Sequence, residues 1–175
     1  MPAETPKRYH PVHVALHWAV ALLVLGFLGL GTFVIGPMPN DQELSLLGMH
    51  SMLGPILAVL VLVRLATRFI FKRPAAADAG HPLLNLVGRA VHVFLYVGVF
   101  VLLFSGASLS MAYGLPDILT GDGTMPADLF VYPQRFMHGI LSNLMMALVA
   151  LHVGAALYHQ FVRKDNLLAR MWFGK

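Results

Sequence analysis

Long, nearly uncharged runs dominate the pattern of hydrophobic and polar positions along this chain. Each run has the roughly 20 apolar residues that an α-helix needs to cross the hydrocarbon core of a bilayer. The pattern therefore predicts four membrane-spanning helices joined by polar connections. Their predicted bounds are Val14–Ile35, Leu46–Ile70, Ala90–Ala112 and Phe136–Val162.

The connections between the predicted spans leave little room for a separate soluble domain. Glycines, prolines and aspartates are concentrated in Gly114–Pro133, where we expect a longer connection that includes a short helix. The first span has a longer apolar run than a signal peptide, and no clear small-residue cleavage site follows it, so we expect it to be retained. The 175 residues then form one all-α, four-span domain over 1–175.

The composition favours the same class of protein. Hydrophobic residues make up 58% of the chain and charged residues only 11%, whereas a typical soluble domain has about 25% charged residues. The chain is therefore predicted to be an integral membrane protein. It contains no cysteine, which excludes disulfides, thiolate metal ligands and the covalent attachment of a c-type haem. Any haem must be held non-covalently.

Charged residues divide between the two sides of the predicted bundle. The positive-inside rule makes the basic side cytoplasmic, which puts both termini in the cytoplasm. The net charge of +4 then reflects orientation, and no nucleic-acid partner is expected. The basic side holds Lys7, Arg8, Arg68, Lys72, Arg73, Arg89, Arg163, Lys164, Arg170 and Lys175; the opposite loops hold Asp41, Glu43, Asp117, Asp122 and Asp128, with Arg135.

Four histidines occupy two depths in this topology. His138 and His152 are fourteen residues apart on the fourth span, a rise of about 21 Å on one helix face. The alternating direction of the spans brings His17 to the inner level of His152 and His50 to the outer level of His138. Each pair suits the two axial positions of a haem iron, so the pattern predicts two b-type haems between the helices of a four-helix bundle.

Other interpretations of these histidines remain open. A single histidine within a membrane often does no more than hydrogen-bond a neighbouring helix, but four at paired depths favour a cofactor. Zinc or copper fits less well, because each level supplies only two ligands and no carboxylate. His13 is one turn before His17 and is the alternative inner ligand if the first span lies deeper. Small residues beside the ligands, namely Gly54, Gly139 and Gly154, fit either a flat cofactor or close helix packing.

Two arginines lie near the predicted histidine levels. Arg64 is fourteen residues beyond His50, on the same face and at the inner level, where it is a candidate contact for haem propionates or quinone. Arg135 is about one turn before His138 and is the corresponding candidate for the outer haem or for a small anion. An ordinary surface arginine is an equal alternative at Arg135.

His92 and His159 are predicted at the inner ends of the third and fourth spans, one or two turns closer to the cytoplasm than a haem ligand. A histidine there can hydrogen-bond a quinone carbonyl and deliver a proton as the ring is reduced. Both are therefore candidates for a quinone site. The alternative is that both are solvated among the lipid headgroups.

Several motifs give the chain a family resemblance. They are LHW at 16–18, GMHSMLG at 48–54, the spacing of His138 and His152, and YHQFVRKDNLLARM at 158–171. The chain resembles bacterial cytochromes b561, four-helix di-haem membrane proteins that include superoxide:ubiquinone oxidoreductases. The resemblance implies that His17, His50, His138 and His152 are axial haem ligands, and that electrons pass between the periplasmic side and ubiquinone, with the quinone near His159.

The electron donor is left open by the resemblance. In the first hypothesis the protein is an oxidoreductase that takes electrons from superoxide and reduces ubiquinone. In the second it is an electron-transfer subunit that accepts electrons from a periplasmic or membrane dehydrogenase or hydrogenase partner. A third, a small transporter with a histidine proton relay, is disfavoured by the paired depths of the histidines.

Overall fold

A computed structural model describes residues 7–35 and 40–173, with the backbone alone described at 40–43. All regular structure within these residues is helical. Four long helices are α1 (Pro11–Gly29), α2 (Asn40–Ile70), α3 (Pro82–Tyr113) and α5 (Pro133–Tyr158). The short helix α4 is Leu115–Thr120, π-helical segments extend α1 over Leu30–Ile35 and α5 over His159–Arg163, and a 3₁₀ segment covers Leu167–Met171.

The long helices have the length and apolar character of membrane spans. Four candidate spans, Pro11–Ile35, Leu44–Ile70, Pro82–Tyr113 and Pro133–Arg163, have mean hydropathies between 1.9 and 2.4. Large apolar side chains cover their outward faces, with Phe69 77% and Phe104 78% exposed. Such surfaces are rare on soluble monomers and are suited to lipid. The fold is that of a multi-pass membrane protein.

Helix ends follow local chemistry. Proline stands in the first turn of α1, α3 and α5, where its missing N–H costs no hydrogen bond. His10 and His81 cap α1 and α3 by accepting from the N–H groups of Val12 and Leu83. The cap at His81 starts α3 eight residues before the predicted Ala90. Gly114 ends α3 with φ of +66°, a backbone angle that glycine adopts readily. The expected short helix follows as α4.

Side chains from all four long helices form a central core. Leu28, Leu57, Val61, Val99 and Met145 are buried together, and α3 packs along α5 while α1 packs along α2. The Met145 methyl group lies over Gly98, where a Cβ atom would come within 2.7 Å of it. This close approach of α3 and α5 matters for the site, because two of the candidate ligands are on α5.

The bundle has two dissimilar ends. At one end, here called the terminal end, the segment that precedes and begins α1 contacts the segment that follows α5. The N–H of Tyr9 donates to the carbonyl of Arg170 (3.1 Å), and the indole N–H of Trp18 donates to that of Met171 (2.8 Å). At the opposite end, the loop end, Leu109, Tyr113, Leu115 and Leu129 form a second core. Of the charges used to predict orientation, Lys175 and the side chains of Asp41 and Glu43 lie outside what the structure describes.

Candidate functional site

The four histidines at predicted depths form two pairs across the bundle. The ring centres of His17 and His152 are 6.2 Å apart at the terminal end. Those of His50 and His138 are 6.3 Å apart at the loop end. The central core lies between the two pairs, and α5 contributes one histidine to each.

This spacing fits a metal ion between two imidazoles. A metal–imidazole bond is about 2 Å long and the ring centre lies about 1 Å beyond the nitrogen, so two axial imidazoles have ring centres about 6 Å apart. No three His, Asp or Glu side chains of residues 7–35 and 44–173 gather into a group that could hold a metal. Two ligands per level suit an iron whose other four ligands come from a porphyrin.

At the loop end, Ser105 on α3 orients His138. The serine hydroxyl donates to the carbonyl of Leu102 (2.9 Å) and lies 2.8 Å from Nδ1 of His138. Because the hydroxyl hydrogen is already used, the serine oxygen accepts and Nδ1 carries the hydrogen. Nε2 of His138 is then the nitrogen that is free to bind a metal.

Two glycines at the loop end lie against the histidine rings. A Cβ at Gly106 would lie 3.2 Å from Cε1 of His138, and one at Gly31 would lie 3.6 Å from Cε1 of His50. Both histidines line a cavity that also includes Gly31, Gly106, Gly139 and Arg135. Nδ1 of His50 is buried without a hydrogen-bond partner in the described part of the chain. The residues at this end fit a haem.

At the terminal end, Arg64 lies beside the pair as its spacing predicted. Its Nη2 is 3.1 Å from Nδ1 of His17, and its Nη1 donates to the Tyr96 hydroxyl at 2.5 Å. The guanidinium also lies 5.3 Å from the centre of the Tyr96 ring. Nε of Arg64 is buried without a hydrogen-bond partner among the described residues. A partly buried cation with an unused donor fits a carboxylate such as a propionate.

The contact between Arg64 and His17 has a consequence for ligation. Arginine only donates, so Nδ1 of His17 accepts in this arrangement and Nε2 carries the hydrogen. Metal binding through Nε2 needs the other tautomer, with the hydrogen on Nδ1. The terminal-end residues therefore fit a haem once Arg64 turns from His17 to an anionic group.

His13 has different surroundings from His17. It is buried, its Nδ1 lies 2.8 Å from the Thr67 hydroxyl, and its ring stacks on Tyr9. The Thr67 hydroxyl donates to the carbonyl of Arg64 and thus accepts from His13. The structure puts His17, and not His13, across from His152.

His92 lies beside the terminal-end pair, in the third turn of α3. Its ring centre is 5.0 Å from that of His152, close to the rise of one helical turn. Its predicted level, one or two turns closer to the cytoplasm than a haem ligand, stays a prediction. Its Nδ1 is 2.6 Å from the carbonyl of Gly88, so Nδ1 donates and Nε2 is free to accept.

His159 lies where α5 changes to a π-helical segment, buried at the terminal end. Its Nδ1 is 2.5 Å from a carboxylate oxygen of Asp165. Desolvation raises the pKa of Asp165, but the hydrogen bonds from His159 and the Leu167 N–H outweigh it and hold the pKa below its ordinary value. The two quinone candidates therefore have separate partners, His152 for His92 and Asp165 for His159.

Arg135 lies at the loop end, lining the cavity with His50 and His138. Its guanidinium is 5.6 Å from the centre of the exposed Phe130 ring. It is therefore close enough to the loop-end pair to meet an anion or a propionate there.

Several residues of the site were not predicted from the sequence. They are Ser105, Gly31, Gly106, Tyr96, Thr67 and Asp165. The polar ones gave one usable signal, because Ser105 and Thr67 interrupt apolar helix faces. Gly31 and Gly106 gave no signal in the sequence. Gly54, Gly139 and Gly154, which fitted either a flat cofactor or close helix packing, do not contact the histidine rings, and a Cβ at Gly139 or Gly154 would meet nothing within 4 Å.

Comparison with known proteins finds relatives along nearly the whole chain. The prokaryotic cytochrome b561 family pattern matches residues 8–174. Cytochrome b561 homolog 2 of Escherichia coli (strain K12) is 30% identical over 96% of this chain and 93% of the relative. Probable superoxide oxidase CybB of Yersinia pestis is 26% identical over 94% of this chain and 96% of the relative. Cytochrome b562 of Cereibacter sphaeroides is 27% identical over 93% of this chain and 94% of the relative.

Proposed function

The chain belongs to the prokaryotic cytochrome b561 family of membrane electron-transfer proteins, and we propose that it moves electrons between the periplasmic side of the inner membrane and the ubiquinone pool. The observation that carries this proposal is the presence of two histidine pairs, with ring centres 6.2 and 6.3 Å apart, at opposite ends of one bundle. A donor at one end of the bundle and an acceptor at the other would then be linked through the membrane.

The family implies b-type haem, and we propose two haems in one four-span domain over 1–175. His17 and His152 would hold one, and His50 and His138 the other. Each haem, when bound, supplies a one-electron couple whose potential depends on its ligands and surroundings. The helices hold the imidazoles across from one another, and the apolar core keeps water from the space between the two levels.

We propose that the terminal end faces the cytoplasm. Arg163, Lys164 and Arg170 follow α5 at this end, while Asp117, Asp122 and Asp128 lie at the loop end. The positive-inside rule supports this orientation. The His50–His138 pair would then lie on the periplasmic side.

Arg64 would bind a propionate of the terminal-end haem. Its turn away from His17 would leave Nδ1 of His17 free to carry a hydrogen, and Tyr96 would hold the guanidinium in place. Arg135 would serve the loop-end haem in the same way, or would attract an anionic electron donor to it.

A quinone would be reduced at the terminal end, close to His159. Asp165 accepts from Nδ1 of His159, which leaves Nε2 as the ring nitrogen that would deliver a proton to a quinone oxygen. A proton taken from the cytoplasm through the exposed side of Asp165 would restore the histidine. His92, with Nε2 free, is the second candidate for this contact.

Superoxide is the proposed donor. Two superoxide anions each lose one electron and become O₂, and one ubiquinone takes up two electrons and two protons to become ubiquinol. The name of one relative, a probable superoxide oxidase, supports this choice, as does the position of Arg135 beside the loop-end pair.

The alternative function is that of an electron-transfer subunit for a periplasmic or membrane partner. It is favoured by the exposed carboxylates at the loop end, Asp117, Asp122 and Asp128, which suit a basic protein surface and oppose an anion.

The test uses the purified protein with no partner. We expect it to oxidise superoxide from a steady enzymatic source while reducing a soluble ubiquinone analogue in a ratio of two to one. A protein that contains haem but is inert to superoxide, and is reduced only when a cell fraction is added, would favour the subunit function.

A further inference from the structure

We infer that Ser105 and Gly106 form an imidazole seat on α3, meaning a surface of these two residues that holds the His138 ring and directs its Nε2 towards His50. Ser105 is then a positioning residue that tunes the loop-end haem. This inference rests on the proposed function, since it supposes that a haem binds between His50 and His138.

The first part of the imidazole seat is the hydroxyl of Ser105. Within α3 it donates to the carbonyl of Leu102 at 2.9 Å, which fixes the direction of its hydrogen. The oxygen therefore presents a lone pair to Nδ1 of His138, 33 residues away in sequence, at 2.8 Å. The bond selects the tautomer with the hydrogen on Nδ1, and Nε2 becomes the metal ligand.

The second part is the missing side chain of Gly106. A Cβ there would lie 3.2 Å from Cε1 and 3.7 Å from Nδ1 of His138. The ring thus lies close against the backbone of α3, next to the hydroxyl that it donates to. A larger residue would displace the His138 ring, break its hydrogen bond with Ser105 and change the separation of the His50 and His138 rings.

The partner ligand lacks such a contact. Nδ1 of His50 is buried without a hydrogen-bond partner within the described residues, and the neighbouring ring of Phe27 meets it edge-on. Tuning by hydrogen bonding at the loop end would therefore come from Ser105 through His138. An acceptor on Nδ1–H makes an imidazole a stronger electron donor, which favours oxidised iron and lowers the potential.

The experiment compares Ser105→Thr with Ser105→Val in the full-length protein. These side chains have the same shape, so any packing effect is common to both, and only threonine keeps the hydroxyl. We measure haem per chain, the midpoint potential of each haem by redox titration, and the low-spin electron paramagnetic resonance signals of the oxidised protein.

With valine we expect the loop-end haem to have a more positive potential and a shifted resonance signal, and to be retained about 10-fold less tightly. Threonine should stay close to the wild type, and the terminal-end haem should be unchanged in both. Ser108→Ala, in the next turn of α3, is the matched control and should change nothing. Gly106→Ala should shift the same loop-end signal as valine.

Equal potentials and equal spectra for the threonine and valine proteins would overturn the imidazole seat. A change confined to the terminal-end haem would overturn it too. A wild-type protein without haem would instead contradict the proposed function on which the inference rests.

Discussion

The two histidine pairs have nearly the same geometry and very different surroundings. Their ring centres differ in separation by only 0.1 Å, between 6.2 and 6.3 Å. The terminal-end pair has the Arg64 guanidinium and the His92 ring beside it. The loop-end pair has the Ser105 hydroxyl and two glycines, Gly31 and Gly106, against which the rings lie. The common geometry indicates a common type of cofactor, and the surroundings set what each end does.

The surroundings also suggest a direction for the electrons. A cation lies beside each pair, Arg64 at the terminal end and Arg135 at the loop end, so the difference between the ends rests on the Ser105 hydroxyl. That hydroxyl accepts from His138 and would favour oxidised iron at the loop end. Electrons would then pass downhill from the loop end to the terminal end. This direction agrees with the proposed reduction of quinone close to His159.

The largest expected effect is the loss of one haem when a histidine of one pair is replaced. His152→Ala should lose the terminal-end haem and keep the loop-end haem, and His138→Ala should do the reverse, since an axial ligand is lost from one level only. The absorbance of haem per chain should fall by about half in each case. His13→Ala is the control and should keep both haems. If the His13→Ala protein loses a haem and the His17→Ala protein keeps both haems, His13 and not His17 is the ligand at the terminal end.

The charge beside the terminal-end pair gives the next largest effect. Arg64→Gln should lower the midpoint potential of the terminal-end haem and weaken its retention about 10-fold, because a cation close to the ligand is lost. Arg64→Lys should restore part of the potential. Redox titration measures both, and Arg68→Gln is the matched control on the same helix. A shift at the loop-end haem alone would contradict this assignment.

A functional difference between the ends is tested at His159. His159→Ala should slow quinone reduction roughly 100-fold while leaving both haem spectra intact, since a general acid is lost and no ligand is touched. Stopped-flow oxidation of the reduced protein by a ubiquinone analogue gives the rate. If His92→Ala slows the reaction and His159→Ala does not, the quinone contact belongs to His92.

The smallest effect concerns acid sensitivity at the terminal end. Because the pKa of Asp165 is lower in the folded protein, its contribution to stability is complete above the ordinary carboxyl pKa of about 4 and is lost as the pH falls through the lowered value. The protection of residues 164–171 against hydrogen exchange, corrected for the intrinsic exchange rate at each pH, should therefore fall in acid. The Asp165→Asn protein should already exchange faster at neutral pH, and a similar acid response in both proteins would exclude Asp165 as the cause.

The sequence anticipated the parts of the molecule that depend on one helix at a time. Apolar runs located all four spans, and helical spacing put His50, Arg64, His138 and His152 at levels where the structure brings partners to them. The family was also identified correctly. These features follow from the periodicity of a single helix and the thickness of a bilayer.

The features that were missed depend on how two helices approach each other. Ser105 is informative only once α3 lies against α5, and the role of Gly106 depends on the exact position of the His138 ring. The contact between the rings of His92 and His152 depends on how α3 lies against α5. Asp165 meets His159 only because the chain turns back after α5.

The central claim is that each chain holds two haems, one at each histidine pair. Its most direct test is a reduced-minus-oxidised spectrum of the purified protein, with haem and protein quantified in the same sample. We expect a b-type spectrum and two haems per chain, titrating as two components. One haem per chain, or a colourless protein, would contradict the assignment of His17, His50, His138 and His152 as two pairs of axial ligands.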